Sequence, residues 1–184
     1  MKENDSVAIL NFDETLKQQS FLTEKHYEWI DLTDLTGVSK LCEEASLKEI
    51  AKRLSKRKNR PITLIGSGDY HYVTYLLLKE ISIPFSLILF DNHPDYQKPL
   101  FSDYISCGSW VLEALEKLHL LEHVIIIGPP QQELNHPLDN FSDKISLFPI
   151  ESFLSLPRQT ILQQIIQHIP TTTVYISIDK DVLD

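Results

Sequence analysis

Two short segments hold the residues best suited to chemistry. Asp91-Asn92-His93-Pro94-Asp95 and Asp179-Lys180-Asp181 each set ionisable side chains at alternate positions. In extended chain alternate side chains fall on one side, so Asp91, His93 and Asp95 converge, and so do Asp179 and Asp181. If the two segments are neighbours, four carboxylates crowd one pocket. Unit charges ~4 Å apart then repel by roughly 4 kcal/mol per pair even at an effective dielectric near 20. Such a pocket calls for protons or cations. Many oxygens with an imidazole nitrogen make a hard-leaning donor set that suits Mn²⁺ or Mg²⁺, with Fe²⁺ or Zn²⁺ as alternatives, better than a thiolate metal. Two ions sharing a carboxylate would turn a bridging water into a hydroxide nucleophile near neutral pH. Asp, Asn, His and Pro at a strand end also serve turns and helix caps, which is the ordinary reading of a lone Asp-x-His-x-Asp. A second acidic cluster at the same kind of position tips the balance to metal.

The elements that must position these residues follow from hydrophobic periodicity. The apolar run Phe85 to Phe90 leads straight into Asp91, and Thr172 to Ile178 leads straight into Asp179. Further strands are expected at Val7 to Phe12, Ile62 to Ile65, His123 to Ile127 and Ile145 to Phe148, and helices at Tyr72 to Glu80, Ser109 to His119 and Arg158 to His168. Leu47 to Lys58 reads as a helix whose many basic residues face solvent, and His26 to Leu32 is ambiguous. Near-continuous apolar strands alternating with helices predict an α/β fold, with a parallel sheet covered on both faces. Ligands of such a sheet bind at the carboxyl ends of its strands, where both acidic clusters fall.

Composition bounds the rest. A chain of 184 residues, 42% hydrophobic and 23% charged, is an ordinary recipe for one soluble globular domain, here 1–184. With 26 acidic against 17 basic residues it is a poor binder of a phosphate backbone, so no nucleic-acid partner is expected. Cys42 and Cys107 stand far apart and outside any C-x-x-C spacing, which fits a reducing compartment. The first residues lack the pattern of a secretory signal, and the run from His123 to Gly128 is too short to span a bilayer. A cytoplasmic protein with no membrane partner is the resulting expectation.

At these residues the sequence resembles the ureohydrolases, the arginase, agmatinase and formiminoglutamase family. That family carries Asp-Ala-His-x-Asp after one strand and Ser-x-Asp-x-Asp-x-x-Asp-Pro after another. Here stand Asp91-Asn92-His93-Pro94-Asp95 and Ser177-Ile178-Asp179-Lys180-Asp181-Val182-Leu183-Asp184. A third motif, Gly-Gly-Asp-His-Ser, is similar to Ser67-Gly68-Asp69-Tyr70-His71 with its histidine displaced. The resemblance implies a three-layer αβα fold with a mainly parallel sheet, binding two Mn²⁺ ions, with another divalent metal as an alternative. Its bridging hydroxide would attack the C–N bond of a guanidino or amidine-like small molecule. By this resemblance Asp91, His93, Asp95, Asp179 and Asp181 are metal ligands, Asp95 also orients the nucleophilic water, and His71 is the remaining ligand if the strand end slips by one residue. Tyr70 takes that place otherwise. The family often forms rings or stacked trimers, which makes a homo-oligomer an expectation here. The family chain also runs on past the last motif, so a single domain ending at Asp184 is expected to lack its C-terminal part. No residue marks a substrate clamp.

Two departures from the family pattern bear on activity. Asn92 replaces alanine, and the loop whose histidine aids proton transfer falls near Ser106-Cys107-Gly108-Ser109, without a histidine. His119, His123 and His136 lie further on, where a helix end, a strand edge and a loop account for them. A non-catalytic metal-binding or interaction relative of the same fold is therefore the alternative. A haloacid-dehalogenase-like phosphatase, suggested by Asn11-Phe12-Asp13-Glu14-Thr15, is weaker, because asparagine stands where an aspartate nucleophile is required.

Overall fold

The computed structural model describes residues 7–23, 27–58, 61–99, 101–134 and 140–183, so Asp184 and His136 lie outside the described residues. In chain order the strands are β1 (Val7–Asn11), β2 (Glu28–Asp31), β3 (Leu41–Glu43), β4 (Ile62–Leu64), β5 (Phe85–Phe90), β6 (Tyr104–Ser106), β7 (Leu121–Gly128), β8 (Ile145–Pro149) and β9 (Val174–Ile178). The α-helices are α1 (Ser20–Thr23), α2 (Glu44–Leu54), α3 (Thr74–Leu78), α4 (Trp110–Lys117), α5 (Ile150–Ser155) and α6 (Arg158–Gln167). The fold is mixed α/β with mainly parallel strands. The described residues divide into two compact units, one within Met1–Val73 and Pro99–Cys107, the other within Thr74–Lys98 and Gly108–Asp184.

In the first unit β1 is the centre of a parallel sheet ordered β2-β1-β4. Its Ala8, Ile9 and Leu10 are fully buried, as a strand flanked on both sides must be. The ambiguous segment thus resolves as a strand: Glu28–Asp31 alternates half-buried with exposed residues along the sheet edge. β3 and β6 form a separate antiparallel ribbon that periodicity did not predict, each strand being only three residues long. The basic helix α2 faces solvent as expected and is laced to acids, with Lys48 on Glu44, Arg53 on Glu49 and Asp34, and Lys52 on Glu49.

In the second unit the sheet runs β8-β7-β5-β9, every pair parallel. Ile88, Ile125, Ile127 and Phe148 on one face receive Ile161 and Ile165 of α6. Each such isoleucine contributes roughly 1.5–3 kcal/mol by leaving water. On the other face Leu87, Leu89, Val124 and Ile126 are fully buried. The expectation of two covered faces therefore holds for β5 and β7. It fails at the edge strand β9, where Val174, Ile176 and Ile178 are exposed.

The described ladders form two parallel sheets and a ribbon, because which strands pair is decided by contacts distant in sequence. One further expectation is corrected. The helix expected over Tyr72 to Glu80 is split: Gly68–Val73 winds as a tighter 3₁₀ turn, and only Thr74–Leu78 is α-helical.

At the amino edge of the second sheet His123 Nε2 lies 2.8 Å from Ser146 Oγ. Burial, reinforced by His168, lowers the His123 pKa against the weaker opposing pull of Asp143. A histidine held neutral by folding contributes stability that is present above its ordinary value and lost as pH falls through the folded-state value. We expect the unfolding temperature to drop between pH 7 and pH 5, and the drop to flatten in His123→Gln, as read by thermal denaturation across that range.

Candidate metal centre

The parallel register of the second sheet puts the two acidic clusters side by side. Phe90 at the end of β5 is level with Ile127 of β7 and Ile178 of β9. The ladder runs one residue further on both flanks: Asp91 N–H donates to Ile127 O at 3.0 Å, and Asp179 N–H donates to Phe90 O at 2.8 Å. Asp91 and Asp179 thus leave the same carboxyl edge on neighbouring strands.

Local hydrogen bonds then fold each loop. Asp91 is almost fully buried, and its Oδ1 accepts His93 N–H at 2.7 Å, an aspartate turn that carries the imidazole back over the strand end. His93 Nδ1 comes to 3.0 Å from Asp181 Oδ2 and 3.5 Å from Asp91 Oδ1. Asp179 Oδ1 accepts Asp181 N–H at 3.3 Å, and Asp181 Oδ1 accepts Asn92 N–H at 3.1 Å, which stitches the two loops together. Asp95, buried at 6% exposure, sits at φ 51°, a left-handed conformation uncommon outside glycine. Its Oδ2 accepts the Trp110 indole N–H at 2.6 Å and its carbonyl accepts Val111 N–H at 3.0 Å.

One potential ligand atom from each of Asp91, His93 and Asp181 lies within 4.8 Å of the others, and carboxylate oxygens of Asp91 and Asp95 also approach within 4.8 Å. Asp179 is joined to this group through its bond to Asp181. Burial, reinforced by the Asp91 and Asp179 carboxylates, pushes Asp181 above the usual carboxylate range, against the pull of Asn92 N–H and His93. Partial burial pulls the His93 imidazolium down, but Asp91, Asp181, Asp95 and Glu133 outweigh it and hold its pKa above the usual value. Carboxylates this crowded disfavour one another's charge and favour a positive partner among them, which suits a cation. Three carboxylates and one imidazole, two of the acids buried, fit a hard divalent ion.

His71 lies buried in the Gly68–Val73 turn of the first unit. Its neighbour Tyr70 stacks on Phe12 with ring centroids 4.2 Å apart, which commits the tyrosine ring to that unit's core. Asn11, the residue behind the phosphatase alternative, is a turn former: its side chain donates to Glu14 Oε1 at 2.8 Å and accepts Glu14 N–H at 3.1 Å.

Two residues that hold the site were not singled out from sequence. Trp110 has no signal there, because its partner Asp95 is fifteen residues away. Gly128 had one: a glycine closing an apolar strand before two prolines. At φ 120° it lets β7 pass so near both loops that a Cβ there would stand 2.6 Å from Asp91 O and inside the contact distance of Val182 Cγ2.

A sequence model of the arginase family matches residues 6–184. The chain belongs to the arginase family. This arginase-family chain is 30% identical over 178 residues to an uncharacterized protein of Thermotoga maritima, aligning 97% of its own length and 64% of that relative's, so it spans a little under two thirds of that protein. Among solved structures its fold is similar to proclavaminate amidino hydrolase from Streptomyces clavuligerus, with a TM-score of 0.65 at 14% identity over 96% of this chain and 68% of that one. It is also similar to formimidoylglutamase from Bacillus subtilis, with a TM-score of 0.62 at 15% identity over 98% and 66%. Arginase from Bacillus subtilis gives 0.58 at 14% over 95% and 74%. At these identities the solved structures establish a shared fold.

Proposed function

We propose that the protein is a metal-dependent hydrolase of the ureohydrolase type, cleaving a C–N bond of a guanidino or amidine-like small molecule. The observation that carries this reading is the convergence of Asp91, His93, Asp181 and Asp95 at the carboxyl edge of one parallel sheet. Two Mn²⁺ ions are the proposed cofactors. Asp91 takes part in both close groupings, with His93 and Asp181 and with Asp95, so it would be a ligand common to both. Asp179 and His71 are proposed as further ligands on the strength of the family pattern. When bound, such ions supply Lewis acidity and lower the pKa of water toward neutrality.

The chain's own residues do the rest. The aspartate turn at Asp91 fixes the His93 ring, and the bond from Asn92 N–H fixes Asp181, so the donors are arranged before any ligand arrives. Asp95 is proposed to orient the attacking water through its carboxylate, which the start of α4 holds at both its side chain and its carbonyl. Among the described residues no helix is long and apolar enough to cross a membrane, and Cys42 and Cys107 are not joined in a disulfide. Both facts suit the proposed setting, a reducing cytoplasm with a small-molecule substrate. A homo-oligomer is part of the same proposal.

One observation favours a second reading, a metal-binding relative without turnover: Ser106-Cys107-Gly108-Ser109 offers no histidine for proton transfer. The two readings separate in one experiment. Loaded with Mn²⁺ and offered a panel of guanidino and formimino compounds, the protein is expected to release urea, ammonia or formamide. Bound metal with no release from any compound would favour the second reading.

A further inference from the structure

We propose that Trp110 is a positioning residue for the metal centre, holding the Asp95 carboxylate in the one orientation in which it meets the ion. The inference rests on the reading of Asp95 as a ligand. Trp110 opens α4 and is fully buried. Its indole Nε1–H donates to Asp95 Oδ2 at 2.6 Å, a short bond between a neutral donor and a buried carboxylate. One residue on, Val111 N–H donates to the Asp95 carbonyl at 3.0 Å. The first turn of α4 therefore grips Asp95 twice, at side chain and at backbone. Asp95 needs that grip, since its φ of 51° is a conformation that persists only where the surroundings over-determine it.

The consequence concerns the ion. A carboxylate free to rotate can offer a cation one oxygen or two. With Oδ2 held by the indole N–H, the Asp95 carboxylate is restrained from rotating and keeps one orientation beside the Asp91 carboxylate, an oxygen of which lies within 4.8 Å of one of its own. Tryptophan is donor only and cannot itself take the cation, so its task is orientation. Partners of this kind typically set 10–100-fold of metal affinity.

The test removes the N–H and keeps the shape. Site-specific replacement of Trp110 by benzothienylalanine exchanges the indole N–H for sulfur in a ring of nearly the same size, and Trp110→Phe serves as the genetically simple companion. Mn²⁺ affinity is read by titration calorimetry and the unfolding temperature of the metal-free protein by calorimetric scan. We expect the isostere to weaken Mn²⁺ binding about 10–100-fold, with the metal-free protein still unfolding cooperatively at a modestly lowered temperature, as the loss of one donor to a buried carboxylate requires. Unchanged affinity in the folded isostere, beside a parent protein that binds Mn²⁺, would overturn the role of Trp110 and leave the metal site standing. A parent protein that binds no Mn²⁺ would overturn both. Collapse of the metal-free unfolding temperature would make the bond a folding element and overturn the proposal as well.

Discussion

Replacing Asp91 and Asp181 together by asparagine is expected to abolish tight Mn²⁺ binding while making the metal-free protein more stable. Asparagine keeps the size of each side chain and the carbonyl oxygen that accepts His93 N–H or Asn92 N–H, so the loops stay folded. What changes is charge. Burial and the facing Asp91 and Asp179 carboxylates already push Asp181 above the usual carboxylate range, which means the ionised form is disfavoured in the folded state. Neutralising two acids of the group relieves that repulsion. At about 1 kcal/mol of relief, a chain of this size gains ~2–4 °C in unfolding temperature. Affinity moves the other way by at least about 100-fold, since each lost anionic ligand costs more than the loss of a supporting partner. Calorimetric titration and thermal scans read both effects on the same samples. Loss of affinity together with loss of stability would instead mark the two acids as structural.

Gly128→Ala should damage fold and site in one step. The added methyl group would press on Val182 of one loop and the Asp91 carbonyl of the other, from a backbone at φ 120° that side chains rarely adopt. Overpacking and backbone strain together cost roughly 2–5 kcal/mol. That corresponds to a fall of about 4–20 °C in unfolding temperature, with Mn²⁺ binding weakened because the Asp91 loop is the part displaced. Val182→Ala in the same chain removes the side-chain contact and leaves the carbonyl contact. It should therefore recover only part of the loss. An unchanged unfolding temperature in Gly128→Ala would show that β7 does not pin the two loops.

The parts of this site written in local pattern were readable in advance. Phe85–Phe90 is apolar at every position but Ser86 because β5 lies between two neighbours and is buried on both faces, and the acids follow where the run stops. Period-two spacing placed Asp91 and His93 on one side, and the structure brings both to Asp181. Long-range pairing was not readable: β3 and β6 are three-residue strands whose partners are some sixty positions apart, and the division into two parallel sheets depends on which edges meet. The grip of α4 on Asp95 escaped for the same reason. Asp95 itself departs from extended geometry, with φ 51°, so alternation alone misplaces it. The displaced histidine of the first motif is accounted for in part, since Tyr70 is engaged with Phe12 and His71 is its buried neighbour.

Whether Asp91, His93, Asp95 and Asp181 form a centre for divalent ions is decided by counting metal. The protein is dialysed against Mn²⁺, cleared of free ion and analysed for bound manganese beside the Asp91→Asn, Asp181→Asn double variant. Two ions per parent chain and a clear loss in the variant are expected. Manganese at buffer level in the parent, or equal content in both proteins, would contradict such a centre.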